Sequence, residues 1–321
     1  RSFLCHGSTQ DKSAMKGKPA LAINRRTGDH GAMTRTLFCF GYGYTAQALS
    51  RRLLPQGWQV FGTTRRPENL DQLGATGATA LLWPSGDITT ALHTASHLLI
   101  SASPDAQGDP VLQALGDEIT QIAPNLTWAG YLSTTGVYGD TGGDWVSEDT
   151  PINPSTQRGQ RRKAAEQAWR AIPNLPLHIF RLAGIYGPGR GPFAKLRAGT
   201  ARRIIKPGQM FSRIHVDDIA QVLAASMDRP NPAEIYNVCD DMPAPPQDVI
   251  SYAASLLGMP PPPEVPFEQA EMSPMARSFY AESKRIRNDR IKSELGVELL
   301  YKDYKSVLTA MLESERADRT D

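Results

Sequence analysis

The stretch Thr36-Leu-Phe-Cys-Phe-Gly-Tyr-Gly-Tyr-Thr-Ala-Gln-Ala-Leu49 sets the fold. Leu37 to Phe40 is a short apolar run that reads as a buried strand. Gly41-Tyr42-Gly43-Tyr44-Thr45-Ala46 follows without a spacer. Ala46, Leu49 and Leu53 then recur at three- and four-residue steps, which is helical spacing. The order is strand, glycine turn, helix. In such a G-x-G-x-x-A turn Gly41 permits the sharp bend and Gly43 lets a pyrophosphate approach the backbone. Ala46 is small enough for the helix to pack on the strand. The free N–H groups of Tyr44, Thr45 and Ala46 at the helix start would face the phosphates. A dinucleotide site is the expectation; the competing reading is a tight loop that holds two glycines.

The bulk composition narrows the class. A chain of 321 residues, 40% of them hydrophobic, is long enough for one large α/β domain with an added lobe. A net charge of +2 carries no nucleic-acid or membrane-surface signal. No run of about 18 apolar residues offers a membrane span. The three cysteines, Cys5, Cys39 and Cys239, are widely separated and match neither a metal site nor a disulfide framework. A reducing, cytoplasmic location is the expectation. Residues 1–33 are basic and lack apolar periodicity. They read as a disordered extension with Met33 as the natural start of the folded unit, although a transit peptide has the same composition.

Strands and helices alternate after the glycine turn. Trp58 to Gly62 is the second strand, and Thr63-Thr64-Arg65-Arg66 follows it about 20 residues past the turn, where the adenine ribose of a dinucleotide lies. An NAD site puts an acidic residue there. Thr64, Arg65 and Arg66 suit a 2′-phosphate instead, because guanidinium groups match phosphate bidentately. NADP is therefore the expected cofactor, with NAD as the alternative; the arginines could equally be solvated at a helix start. Thr79 to Trp83 and His97 to Ser103 are further strands, and the small Ser101 and Ala102 let a cofactor lie across the sheet edge. Trp128 to Ser133 and Leu177 to Leu182 follow, with a helix from about Gly159 to Ala171 between them. This alternation predicts a Rossmann-type, doubly wound parallel sheet over residues 34–185. A smaller C-terminal substrate lobe occupies 186–312, with 212–240 returning to the sheet and 313–321 a frayed tail. Asp217 or Asp218 is placed to cap the helix from Ile219 to Met227.

Four motifs in order resemble the extended short-chain dehydrogenase/reductase superfamily, the branch holding nucleotide-sugar epimerases and dehydratases. They are the turn at Gly41, Leu132-Ser-Thr-Thr-Gly-Val-Tyr-Gly139, Arg181-Leu-Ala-Gly-Ile-Tyr-Gly-Pro188 and Ile214-His-Val-Asp-Asp-Ile-Ala220. The likeness runs from about Thr34 to Leu312. It implies that Thr134 bonds a substrate oxygen, with Thr135, Tyr138 and Arg213 beside the substrate. It also implies a proton-exchanging Tyr about 25 residues later, a Lys four residues beyond it and a Glu four further. In this chain Gly159 and Glu166 fix that register, and the Tyr and Lys positions hold Arg158 and Arg162.

That departure bears on function. Arginine does not release its proton in a protein, so Arg158 cannot replace Tyr as acid or base. Arg162 can still bond the nicotinamide ribose. Together the two would form an anion site, or they pair with Glu166 or Asp140 and do nothing chemical. The resemblance also implies an Arg four residues before His215 in nucleotide-sugar enzymes. Phe211 stands there, so a nucleotide sugar is not supported. Tyr138 and Tyr186 are ordinary members of their motifs, and His215 is more often a packed histidine than a base. The expectation is an oxidoreductase acting on an anionic small molecule, and the resemblance implies a homodimer. A catalytically inactive NADP(H) sensor and a non-redox epimerase or dehydratase with tightly held cofactor are the alternatives.

Overall fold

The computed structural model describes residues 35–317; the expectations for residues 1–33 lie outside them. Seven strands form one sheet: β1 (Thr36–Phe40), β2 (Gln59–Thr64), β3 (Thr79–Leu82), β4 (His97–Ile100), β5 (Trp128–Thr134), β6 (Leu177–Leu182) and β7 (Ile235–Val238). Their spatial order is 3-2-1-4-5-6-7, and every pair is parallel. Parallel strands need crossovers that cover both faces, which is why β1, β4 and β6 are buried at every residue. The order reverses between β1 and β4, so their carboxyl ends open a crevice. This is the Rossmann-type α/β fold expected from the sequence.

Six longer helices complete the frame: α1 (Tyr44–Leu53), α2 (Pro110–Ile122), α3 (Gln157–Arg170), α4 (Val216–Asp228), α5 (Pro246–Leu256) and α6 (Tyr304–Ala317). Alternate residues of β1 face opposite layers. Leu37 and Cys39 meet Leu49 of α1 and Ile219 and Leu223 of α4. Phe38 and Phe40 join Ile119 of α2 and Trp169 of α3. Burial pushes the Cys39 thiol up, consistent with an inert core residue. A separate core of Phe193, Leu196, Val249, Val307, Leu308 and Met311 builds the C-terminal lobe.

Two expectations change. Helix α6 continues to Ala317, so residues 313–317 of the expected tail are helical, and its last four residues lie outside the described ones. Glu315 accepts a hydrogen bond from Arg197 at 2.5 Å, which ties the last turn to the lobe. The cap of α4 is His215, whose Nδ1 accepts the Asp217 N–H at 3.2 Å. Asp218 points away from the cap: it is fully buried and accepts the N–H groups of Leu300 (2.7 Å) and Tyr301 (3.1 Å), stitching the lobe to α4. Burial raises its pKa to about 6.

Candidate functional site

The glycine turn is built as its residues require. Gly41 has φ +84°, and a Cβ there would lie 3.1 Å from Ala102 N and 3.3 Å from Ser101 C. Only glycine allows β1 to end so close to the chain leaving β4. Gly41 N–H donates to Thr63 Oγ1 at 2.8 Å and Tyr42 N–H to Thr63 O at 2.9 Å, which anchors the turn on β2. Tyr42, which the sequence reading passed over, packs its ring on Gly62, where a Cβ would meet it at 2.3 Å. Gly43 is the opposite case: a Cβ there meets nothing within 4 Å, so the space before α1 is open. The first intrahelical bond is Gln47 N–H to Gly43 O. The N–H groups of Tyr44, Thr45 and Ala46 precede it and have no helical acceptor. No side chain caps α1 and its first turn holds no acid, so an anion fits there electrostatically.

The walls of this crevice match a dinucleotide in part by open donors and in part by closed ones. Arg65 and Arg66 are exposed at the end of β2. Their turn is fixed by Arg66 N–H donating to Thr64 Oγ1 at 3.1 Å. Tyr44 faces the other way. Its hydroxyl donates to Pro188 O at 2.9 Å and the Arg190 guanidinium covers its ring at 4.3 Å. Burial raises the Tyr44 pKa, with Arg190 opposing. Tyr44 therefore closes the crevice against the loop at 187–190 through its side chain and faces an anion only through its backbone.

A cavity of about 340 Å³ lies beyond the carboxyl ends of β5 and β6, under the segment 276–286. Thr134, Thr135, Arg158 and Arg213 line it, as do Phe211, Phe279, Tyr280, Glu282 and Lys284. Thr134 ends β5 and its Oγ1 accepts the Gly136 N–H at 3.2 Å, capping the following turn. Gly159 lets α3 start tightly against that turn, since a Cβ there would sit 2.7 Å from Gly136 O. The Arg158 guanidinium lies over the Phe279 ring at 4.7 Å. Burial and then the like charge of Arg162 lower the Arg158 pKa, while Glu282 opposes them. Arg213 donates through one nitrogen to Phe211 O (3.1 Å) and Ala244 O (3.2 Å). Burial lowers its pKa, and Asp240 and Tyr186 act against that. Tyr186 donates to Asp240 Oδ2 at 2.7 Å, and burial raises the Asp240 pKa to about 7.

Three expected site roles are corrected. Arg158 and Arg162 do not form one anion site. Arg162 donates to Tyr131 OH (3.2 Å), Leu132 O (2.5 Å) and Ser103 Oγ (2.9 Å), so it pins the ends of β4 and β5 together and does not line the cavity. Glu166 pairs with neither of them, nor does Asp140. Glu166 holds Arg181 at 3.2 and 2.8 Å and accepts the Ser133 hydroxyl at 2.5 Å, all inside the core. Asp140 accepts backbone N–H groups of Ser283 (2.7 Å) and Gly142 (3.2 Å). Tyr138 is not a substrate residue. Its hydroxyl donates to Asn237 Oδ1 at 2.7 Å and accepts from Arg181 at 3.0 Å, turned into the sheet. His215 is a packed cap, its ring centroid 4.2 Å from that of Tyr301.

Sequence reasoning missed Glu282 and Lys284. Lys284 Nζ donates to Glu282 Oε2 at 2.6 Å and to Gly139 O at 2.7 Å. Glu282 Oε1 accepts the Ser155 hydroxyl at 2.7 Å. A Cβ placed on Gly136 would meet Thr134 Oγ1 at 3.5 Å and Glu282 Oε2 at 3.9 Å, so hydroxyl and carboxylate share one corner. Ala281-Glu-Ser-Lys284 has no motif around it; only the fold brings it to Thr134.

Comparison with known proteins fits this geometry. No family model matches the chain. It is 30% identical to Protein YeeZ of Escherichia coli K12 over 276 residues, covering 82% of this chain and 95% of the relative. A solved protein from Silicibacter pomeroyi, described as conserved and functionally unknown, is 61% identical with a TM-score of 0.85, covering 88% of this chain and 99% of that one. The human epimerase family protein SDR39U1, solved with NADPH, shares the fold at 16% identity and a TM-score of 0.69, over 87% and 99% of the two chains. The chain thus belongs to the same family as YeeZ, and its fold is that of the extended short-chain dehydrogenase/reductase superfamily.

Proposed function

We propose that the protein binds NADP(H) in the β1–β4 crevice and acts as an oxidoreductase on a small anionic molecule in the cavity above β5. The observation that carries the cofactor half is the pair Arg65 and Arg66: exposed, with no side-chain ion pair or hydrogen bond among the described residues, beside a glycine turn that leaves room for phosphates. The Tyr44, Thr45 and Ala46 N–H groups would hold the pyrophosphate, and Arg65 and Arg66 the 2′-phosphate. Reduced nicotinamide supplies a hydride when bound. Thr134 would orient the substrate oxygen, and Arg158 and Arg213 supply positive charge for an anionic group on the substrate. Phe211 stands where a diphosphate-binding Arg is expected and lines the cavity with an apolar ring, which favours a substrate smaller and less charged than a nucleotide sugar. The related human fold solved with NADPH supports the same cofactor class.

The test is paired fluorescence titration of NADPH and NADH, with Arg65→Ala/Arg66→Ala alongside. A charged hydrogen bond contributes about 1.5–3 kcal/mol, so the expected preference for NADPH is roughly tenfold to a hundredfold, and the double variant loses it. Equal affinity for both nucleotides would refute the NADP assignment. No binding of either would leave the turn as an inherited feature of the fold. A second reading, a sensor that binds without turnover, is favoured by the consumed donors of Arg162, and a carbonyl panel that never oxidises bound NADPH would select it.

A further inference from the structure

We infer that Lys284, held by Glu282, is the proton donor of this cavity and takes the place that Arg158 cannot fill. This rests on the nicotinamide reading above. Of the residues lining the cavity, only Tyr280, Glu282 and Lys284 carry a group of the kind that exchanges a proton; Arg158 and Arg213 do not. The Tyr280 ring is packed between Phe211 (5.3 Å) and Phe267 (5.4 Å). Glu282 Oε2, which accepts from Lys284 Nζ, instead shares a corner with Thr134 Oγ1, across Gly136. Lys284 has two fixed acceptors, Glu282 Oε2 and Gly139 O, leaving one of its three donors for the cavity. Glu282 continues to the exposed Ser155 hydroxyl, a route by which the amine regains its proton from solvent.

A carbonyl carbon of the substrate gains the hydride, and the π pair of the C=O bond moves to oxygen. Lys284 Nζ breaks one N–H bond and gives that proton to the oxygen, so carbonyl becomes alcohol and NADPH becomes NADP⁺. Thr134 holds the oxygen during transfer, and the neutral amine is reprotonated through Glu282 and Ser155. The charged groups around Lys284 are Glu282 beside it, Asp140 on the loop after β5, Lys206, whose Nζ donates to Tyr280 O, and Arg158 across the corner.

Competitive acetylation with trace acetic anhydride, read by peptide mass mapping from about pH 6 to about pH 11, tests the pair on the full chain without any substrate. Lys284 is expected to label. Glu282→Gln removes the anion that holds the ammonium, so labelling of Lys284 at a fixed pH rises about tenfold. NADPH binding is followed on the same samples. In a second arm NADPH oxidation is followed with 2-oxo and 3-oxo carboxylates of short chain as probes. Lys284→Arg keeps the positive charge but not the transferable proton, and should keep NADPH affinity while losing about a hundredfold or more of turnover. Lys284 that never labels, labelling unchanged by Glu282→Gln, or full turnover in Lys284→Arg overturns the assignment. Loss of turnover in Tyr280→Phe with retention in Lys284→Arg overturns it in favour of Tyr280. If no probe is turned over, the labelling decides. If NADPH does not bind, the nicotinamide reading fails, and the labelling reports on the pair separately.

Discussion

Replacing Glu166 by Gln removes one charge from a pair enclosed by the core. Arg181 and Glu166 are 3% and 2% exposed and 2.8 Å apart. Their second contact, through the Arg181 Nε, is 3.2 Å long. Deleting one partner leaves the other charge buried, which costs about 3–5 kcal/mol. Arg181 keeps the Tyr138 oxygen at 3.0 Å, and Gln keeps an acceptor, so the low end applies, about 3 kcal/mol. At about 2 °C per kcal/mol for a domain of this size, the Tm falls by about 6 °C. Urea unfolding at pH 7 measures the first number and a thermal scan the second. A double-mutant cycle separates this pair from the alternative partner. Glu166 with Arg181→Met should couple by about 2 kcal/mol, and Glu166 with Arg162→Met by less than about 0.5 kcal/mol. A cost under about 1 kcal/mol for Glu166→Gln, or stronger coupling to Arg162, would show that the assigned pairing is wrong. The outcome matters for the site because Ser133, bound to Glu166, precedes Thr134 on β5.

Gly41→Ala should cost about 1–2 kcal/mol in urea unfolding from its left-handed backbone alone, and the 3.1 Å approach to Ala102 N adds to it. Gly159→Ala sets two effects in opposition: Ala is favoured in a helix by about 1 kcal/mol, but its Cβ would lie 2.7 Å from Gly136 O and 2.8 Å from Pro154 Cβ. The clash with backbone wins, and net destabilisation of about 1–3 kcal/mol is expected; a more stable variant would refute the packing. Asp240 has its pKa raised from 3.8 to about 7 by burial, so the folded state binds the extra proton between those values. The stability this contributes is full below about pH 4 and is lost as pH rises towards 7. Asp240→Asn lacks that proton, so relative to wild type it should gain stability from pH 4 to pH 7 by at least about 1 kcal/mol; a flat difference would place the titration elsewhere.

The sheet was legible because its signals are local. Apolar runs mark β1, β5 and β6, and Leu177–Leu182 is a strand with the bounds its sequence suggests. Helix α2 also had local signals, Asp109 before Pro110, and the Asp109 carboxylate does accept the Val111 and Leu112 N–H groups at 3.0 and 3.2 Å. The cap of α4 misled because two acids beside a helix start resemble a cap, whereas tertiary contact gave Asp218 to Leu300 and Tyr301. Motif position put Tyr138 near a substrate, but motif position does not report rotamer, and its hydroxyl turned inward to Asn237. Glu282 and Lys284 had no local signal at all.

The cavity corner is assembled from distant parts of the chain, which explains both its illegibility and its susceptibility. Thr134 ends a sheet strand, Ser155 precedes α3, and Glu282 and Lys284 arrive from the far end of the chain. The join is specific. Arg285–Ile286 pairs in parallel with Trp145–Val146. Ser283 N–H reaches Asp140 Oδ1 at 2.7 Å, Ser283 Oγ reaches Gly208 O at 2.8 Å, and Gln209 Nε2 reaches Glu282 O at 2.6 Å. These bonds hold the 282–284 segment from both sides, whereas the glycine turn draws on β1, β2 and the residues after β4. On the proposed reading, nucleotide binding would therefore depend on the sheet, and proton transfer on the join as well. A change at the join, such as Ser283→Ala, should leave NADPH affinity close to wild type while altering the extent of Lys284 acetylation at a fixed pH. Parallel loss of both would mean that the two halves are one cooperative site.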